Sequence, residues 1–388
     1  MNARLSFRYL PERIRPVALG LLVVLGLILP GPLVAQDSPG PEKNYYVYAC
    51  AESEDEVALI RFGPGGTQVV KTITVGSFPA EIEGPHGLNV SPDGRHWFVT
   101  LAHGFPYGSV HKYETGSDEW VADATLGLFP ATLDISASTG LMYVVNFNLH
   151  GKMEPSSISV VETSTMIEVA RYPSGVMPHG SRLSPDGKKH YFVNMMDDNL
   201  VEVDALKFEQ ARSMKFPGGM ATMSDGGMDH SSMDHSGGGH MEPTIQPTWV
   251  TRPTVNNKVY VAGNKSNTIF EVDLADWKIT RRFEDTAAGP YNLDVTPDGN
   301  ILLATYKKSQ AVGFWDLQTG KELAKVKTSR SVPHGVVISK DGLYAFVTIE
   351  GKGAEPGTVE VYHIATQRRV GLAEIGKQAG GIVFWKAE

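Results

Sequence analysis

Pro85-His86-Gly87-Leu88-Asn89-Val90-Ser91-Pro92-Asp93-Gly94, followed by His96-Trp97-Phe98-Val99-Thr100, decides the fold. A short alternating strand ends at a Pro-Asp-Gly turn, and a second strand rich in aromatic and β-branched residues leaves it at once. The phrase returns as Pro178-His179-Gly180 through Ser184-Pro185-Asp186-Gly187 to His190-Tyr191-Phe192-Val193-Asn194. It returns again as Pro290-Tyr291-Asn292 through Thr296-Pro297-Asp298-Gly299, and as Pro333-His334-Gly335 through Ser339-Lys340-Asp341-Gly342 to Tyr344-Ala345-Phe346-Val347-Thr348. Weaker copies start at Pro130 and Pro247, so the spacings of the leading prolines are 45, 48, 69, 43 and 43 residues.

Each unit continues with a third strand, such as Thr268-Ile269-Phe270-Glu271-Val272-Asp273, and a fourth after a turn like Gln318-Thr319-Gly320-Lys321. Four short antiparallel strands in a repeat of about 40 residues make a propeller blade. The chain ends complete the count. Gly380-Gly381-Ile382-Val383-Phe384-Trp385 reads as a first strand with nothing after it. Tyr45–Ala49, Val57–Arg61 and Gln68–Ile73 read as second, third and fourth strands with nothing before them. Joined, they form a seventh blade, and the ring has no free sheet edge. The expected fold is therefore an all-β, seven-bladed β-propeller over residues 43–388, the last blade closed by N- and C-terminal strands.

The phrases Ser91–Thr100 and Ser184–Asn194 resemble YVTN-type β-propeller repeats, similar to those in the propeller of nitrous-oxide reductase and in the haem d1 propellers. The resemblance covers about residues 43–388 and is specific for fold rather than function.

Residues 1–36 stand outside the repeat. Arg4, Arg8, Arg13 and Arg15 precede a continuous apolar run from Val17 to Leu29, broken by Pro30 and Pro32, and Leu33-Val34-Ala35 offers a small residue for cleavage. This layout predicts a bacterial secretory signal peptide followed by a linker at 37–42, and hence a periplasmic or secreted protein. The run is short for a membrane span, so no membrane association is expected beyond that segment. The chain carries a formal charge of −8, and removing residues 1–35 makes it −11, which argues against nucleic acid as a partner. The single cysteine, Cys50, excludes an intramolecular disulfide, a Cys-pair zinc site and a CxxCH haem attachment.

Functional expectation rests on departures from the repeat. The residue after each leading proline lies where a blade's first strand enters the central channel. Around the ring that position holds His86, Ala131, His179, Thr248, Tyr291, His334 and Gly380. The three histidines fall in blades one, three and six, spread around the axis, and imidazoles facing a common axis suit copper or zinc. The plainer alternative is a repeat feature, in which Pro fixes the entry, Gly permits close backbone approach, and the histidine bonds a neighbouring blade. His103 and His150 lie in loops between second and third strands, on the same face; each is also explained as a solvated loop residue.

The insert at 218–243, before blade four, holds Met220, Met223, Met228, Met233 and Met241 together with His230, His235 and His240. Its Gly and Ser give no core-forming periodicity. A polar linker has no packing need for methionine, whereas thioethers select Cu(I), and imidazole and carboxylate suit Cu(II). The segment resembles the Met/His-rich stretches of periplasmic copper-handling proteins, and its place in the chain puts it on the histidine face. Copper is the expected cofactor; the expected partners are the metal ion and another periplasmic copper or redox protein.

Four functions compete: copper capture or delivery, a copper-dependent oxidoreductase or electron-transfer protein, a lactonase-like hydrolase, and a metal-free protein-binding scaffold. A complete nitrous-oxide reductase is excluded, because the attached cupredoxin domain with its paired cysteines is missing. The ring positions contain no carboxylate, which speaks against the acidic channel ligands usual in lactonase propellers. No nucleophile-elbow, phosphate-loop or dinucleotide motif is present, and the sequence leans away from an enzyme.

Overall fold

Seven four-stranded antiparallel sheets radiate around one axis in the computed structural model, which describes residues 40–78, 80–218 and 243–388. Blade one shows the plan: Pro85–Val90 innermost, then His96–Leu101, Ser109–Glu114 and Trp120–Thr125. Blade seven has the order Ala379–Ala387, Tyr45–Ala51, Glu56–Gly63, Gly66–Thr74, so the last strand of the chain pairs with the first. The seven-bladed expectation, including closure through the termini, is met. Residues 1–36, expected to be a signal peptide, and residues 219–242 lie outside the described residues.

Sequence patterning explains the radial order. Middle strands are buried on both faces and read as near-continuous apolar runs, as in Trp97-Phe98-Val99. Outer strands alternate, as in Lys321–Lys327, because one face meets solvent. The core lies between blades. Trp97, Val99 and Leu101 of blade one pack on Tyr48, Cys50, Val57 and Leu59 of blade seven. Cys50 is therefore buried as a small apolar side chain.

The Pro-Asp-Gly turns cap the face opposite the histidines. Asp93 accepts from Ser91 Oγ and Arg95 N, and Gly94 takes φ +73°, a conformation that favours glycine.

On the inner side a threonine relay ties the blades. Thr305 Oγ1 accepts from Asn292 N of its own blade and donates to His334 O of the next, at 3.0 and 2.8 Å. Thr348 does the same between Gly335 N and Gly380 O, and Thr100 between Gly87 N and Ala131 O. Each acceptor carbonyl belongs to the next blade's ring residue, so the relay fixes how neighbouring ring residues stand to one another.

Candidate functional site at the channel mouth

The histidines reach the channel because every blade's first strand is bulged there. Pro85 pairs with Leu101, and the register then shifts before Leu88 meets Val99, leaving His86 and Gly87 opposite Thr100. The same shift follows Pro178 and Pro333. A bulge re-aims one side chain, and here the re-aimed residues are His86, His179 and His334. Gly87 has no alternative: a Cβ there would lie 1.9 Å from Ala131 O.

The channel is narrow enough to gather residues from distant blades. The His86 ring centroid lies 5.7 Å from that of His334 and 6.3 Å from that of His179. The expectation that the trio is spread apart is thus corrected: two or three blades of separation is a long way round the ring but a short way across it. All three line one cavity of about 40 Å³, together with Arg182, Trp249 and Asn292. That is room for an ion or a water or two.

His103 and His150 meet at the same mouth, 5.7 Å apart, around Phe129. Three charged residues unforeseen from the sequence join them. Glu52, buried after the second strand of blade seven, receives His86 Nδ1 at 2.9 Å and His103 Nε2 at 2.8 Å. Glu350 lies 3.8 Å from His334 Nε2 and 2.8 Å from Lys307 Nζ. Lys307 in turn sits 3.8 Å over the Tyr291 ring. The ring positions do lack a carboxylate, but the loops between second and third strands supply two. These loops hold many charged residues, from Asp55 and Asp198 to Lys352, and it is the folded ring that brings Glu52, Lys307 and Glu350 to the histidines.

Hydrogen bonding sets the protonation of the trio. His179 Nδ1 lies 2.7 Å from Thr248 O, so it carries the proton and donates. Its Nε2 then accepts from the Tyr291 hydroxyl at 3.1 Å. Burial and the nearby His86 push His179 down to about 3. Burial and Lys307 hold His334 well below the ordinary imidazole range. Gly380 O stands to His334 as Thr248 O stands to His179, yet His334 Nδ1 makes no hydrogen bond. Burial alone would raise Glu52, but His86 and His103 outweigh it and leave its carboxyl at about 2. His103 is correspondingly raised by its bond to Glu52.

The donor chemistry suits a transition metal. Neutral imidazole is the metal-binding form, and anchoring one ring nitrogen on a carboxylate or carbonyl is how proteins orient a histidine ligand. Glu52 anchors His86 in this way and Thr248 O anchors His179. Among the described residues, however, no three His, Cys, Asp or Glu side chains already converge as a ligand set. The Tyr291 hydroxyl occupies His179 Nε2, so coordination there requires that hydroxyl to turn away.

Met220, Met223, Met228, Met233, Met241, His230, His235 and His240 lie outside the described residues. The flank is described: Thr244, Ile245 and Gln246 donate backbone N–H groups to Asp198, which lies between second and third strands of blade three. The chain thus re-enters blade four on the mouth face. His96, His111, His190 and His363 are strand residues away from this cluster, and His190 is a buried partner of Tyr172.

No family model matches the sequence, and no curated protein matches it. The structure is similar to a crystal structure from Bacteroides fragilis described as a "putative 6-phosphogluconolactonase". The TM-score is 0.66 at 14% identity, over 90% of this chain and 99% of that one. At that identity the likeness identifies the propeller architecture alone.

Proposed function

We propose that the protein is an exported propeller that binds copper at the channel mouth. His86, His179 and His334 supply imidazole donors, with His103 and His150 at the rim. Residues 218–243 capture the ion and bring it to that face. The observation that carries this reading is the cavity shared by three imidazoles, two of them anchored at Nδ1. The finer resemblance to the nitrous-oxide reductase propeller belongs to the same proposal. Copper held by imidazoles supplies a one-electron redox centre. The protein's own part is to keep His179 and His334 neutral, to orient His86 through Glu52, and to close the mouth with Phe129.

Metal analysis after copper loading tests the reading on the wild type, a deletion of 218–243, and the triple His86/His179/His334→Ala variant. The triple variant is expected to lose the tightly held copper. The deletion is expected to lose the additional, readily exchanged copper and to load the mouth more slowly. A wild type that retains no copper overturns the proposal.

A second reading, hydrolysis of a small lactone, draws on the ionised carboxylate of Glu52 between two imidazoles. It predicts lactone turnover by metal-free protein that Glu52→Gln abolishes.

A further inference from the structure

The channel has a second chamber, on the turn face. It encloses about 400 Å³ and is lined by Arg182, Arg252, Asp294, Asn89, Thr254 and Lys340 among others. That volume suits a small organic ligand. One repeat position, four residues after each leading proline, supplies Asn89, Arg182 and Asp294 to the chamber's lining. Round the ring this position reads Asn89, Asp134, Arg182, Thr251, Asp294, Val337 and Val383. Leu88, Leu133, Arg182, Val336 and Ile382 line both this chamber and the histidine cavity, and so form the partition between them.

Most charges here are already matched. Asp134 accepts from Asn89 Nδ2, Ile135 N, Leu183 N and the Arg252 guanidinium, all between 2.8 and 3.1 Å. Four bonds are about what a carboxylate can accept. Asp294 accepts from Val295 N and Ile338 N, at 2.9 and 2.8 Å. Arg182 is different. It makes one hydrogen bond, from Nη1 to Ser181 O at 2.7 Å, and no direct ion pair among the described residues, although the Asp134 and Asp294 carboxylates lie close enough to act on its charge. Its guanidinium is stacked 4.6 Å over the Trp249 ring. A guanidinium has five N–H donors. Stacking fixes the plane of the fork and leaves most of its donors to the channel, on the residue that lines both chambers.

We infer that the turn-face chamber is a binding site for a small oxyanion, a carboxylate or a phosphate, held by the Arg182 fork. Lys340 adds positive charge at the chamber's edge, while Arg252 is paired with Asp134. Asp294, which burial pushes upward from the ordinary carboxylate range, stands as partner for a hydroxyl on the same ligand. The inference is independent of the copper reading, since Arg182 and the histidines belong to different ring positions.

Titration of the whole, copper-free protein with inorganic phosphate, and separately with succinate, tests it. Tryptophan fluorescence reports on Trp249, and calorimetry gives the affinity. Saturable binding with Kd below about 1 mM is expected for one anion or both, and which of them binds tells phosphate from carboxylate recognition. Arg182→Gln is expected to weaken it at least about tenfold, with Arg182→Lys between, because a lysine cannot reproduce the bidentate fork. Should Arg182→Gln fail to fold, the exposed Lys340→Glu reports instead, with an expected loss of about two- to fivefold that is largest at low salt. Absence of saturable binding of either anion up to about 10 mM overturns the inference. So does undiminished affinity in a folded Arg182→Gln, or in Lys340→Glu where that variant stands in for it.

Discussion

The two ends of the channel are built from the same strands, three residues apart, and differ in room and in which groups are left over: His334 Nδ1, Trp249 Nε1 and Asn292 Oδ1 at the mouth, most of the Arg182 donors at the turn face. At the mouth, the residue after the leading proline sits in a bulge, packed against the next blade. His86 and His179 already have partners in Glu52, Thr248 O and Tyr291. At the turn face the chamber is about ten times larger, and Arg182 keeps most of its donors. A repeat fixes backbone position at both ends alike. Hydrogen-bond saturation is what separates a group that holds the ring together from one left for a ligand.

Substitutions at the mouth should therefore cost stability, and those at the turn face should cost binding. The sharpest case is glycine. Gly87→Ala drives a Cβ into Ala131 O, which only a backbone shift relieves, at a cost of about 3 kcal/mol. Gly94→Ala, on the turn face in open space with φ +73°, should cost about 1 kcal/mol. Equal urea midpoints for the two would remove the claim that the mouth is the tighter end.

Next comes Glu52→Ala, which strips the partner from two imidazoles and should cost about 2–4 kcal/mol. Proton NMR should show His103 titrating lower in this variant; an unmoved His103 would mean that Glu52 does not hold it. Thr305→Val breaks one link of the relay and should cost about 1–2 kcal/mol in chemical denaturation. Arg182→Gln should cost about 1 kcal/mol, chiefly its stacking on Trp249, while losing the anion.

The pH dependence is smaller and has a worked sign. His179 and His190 titrate near 3 when folded, against about 6.5 when unfolded. The unfolded chain therefore binds more protons between these values, and stability should rise with pH from about 3 to 6.5. Glu52 adds to the rise between about 2 and 4.5. His103, raised in the folded state, acts oppositely: its contribution is complete below about 6.5 and is lost as pH climbs through its folded value. Denaturant midpoints across pH 3–9 check both limbs, and a flat profile below pH 6 would contradict buried, neutral His179 and His190.

How much of this was legible in the sequence follows from what a repeat encodes. The Pro-His-Gly and Pro-Asp-Gly phrases mark strand ends, so blade number, terminal closure and the ring position of His86, His179 and His334 can all be read directly. Distance across the ring cannot. The phrase gives order around the axis, whereas channel width depends on how closely Gly87, Gly180 and Gly335 let the blades approach. Glu52, Lys307 and Glu350 sit in loops of unlike sequence, with no motif to announce them. Arg182 is legible as a departure from the repeat, since it occupies the ring position of Asp134 and Asp294, three residues after His179.

The closure of blade seven has a temporal side. Glu52 is held by the far end of the chain, through its backbone N–H to Gln378 O and through the pairing of Tyr45–Ala51 with Ala379–Ala387. A chain threading out N-terminus first brings Glu52, His86 and His103 into solution more than 270 residues before Gln378 arrives to set them. The mouth is thus the last part of the molecule to be completed, and its histidines remain unassembled until the whole chain has emerged. In an exported protein this would postpone any metal loading at the mouth to the compartment where folding ends.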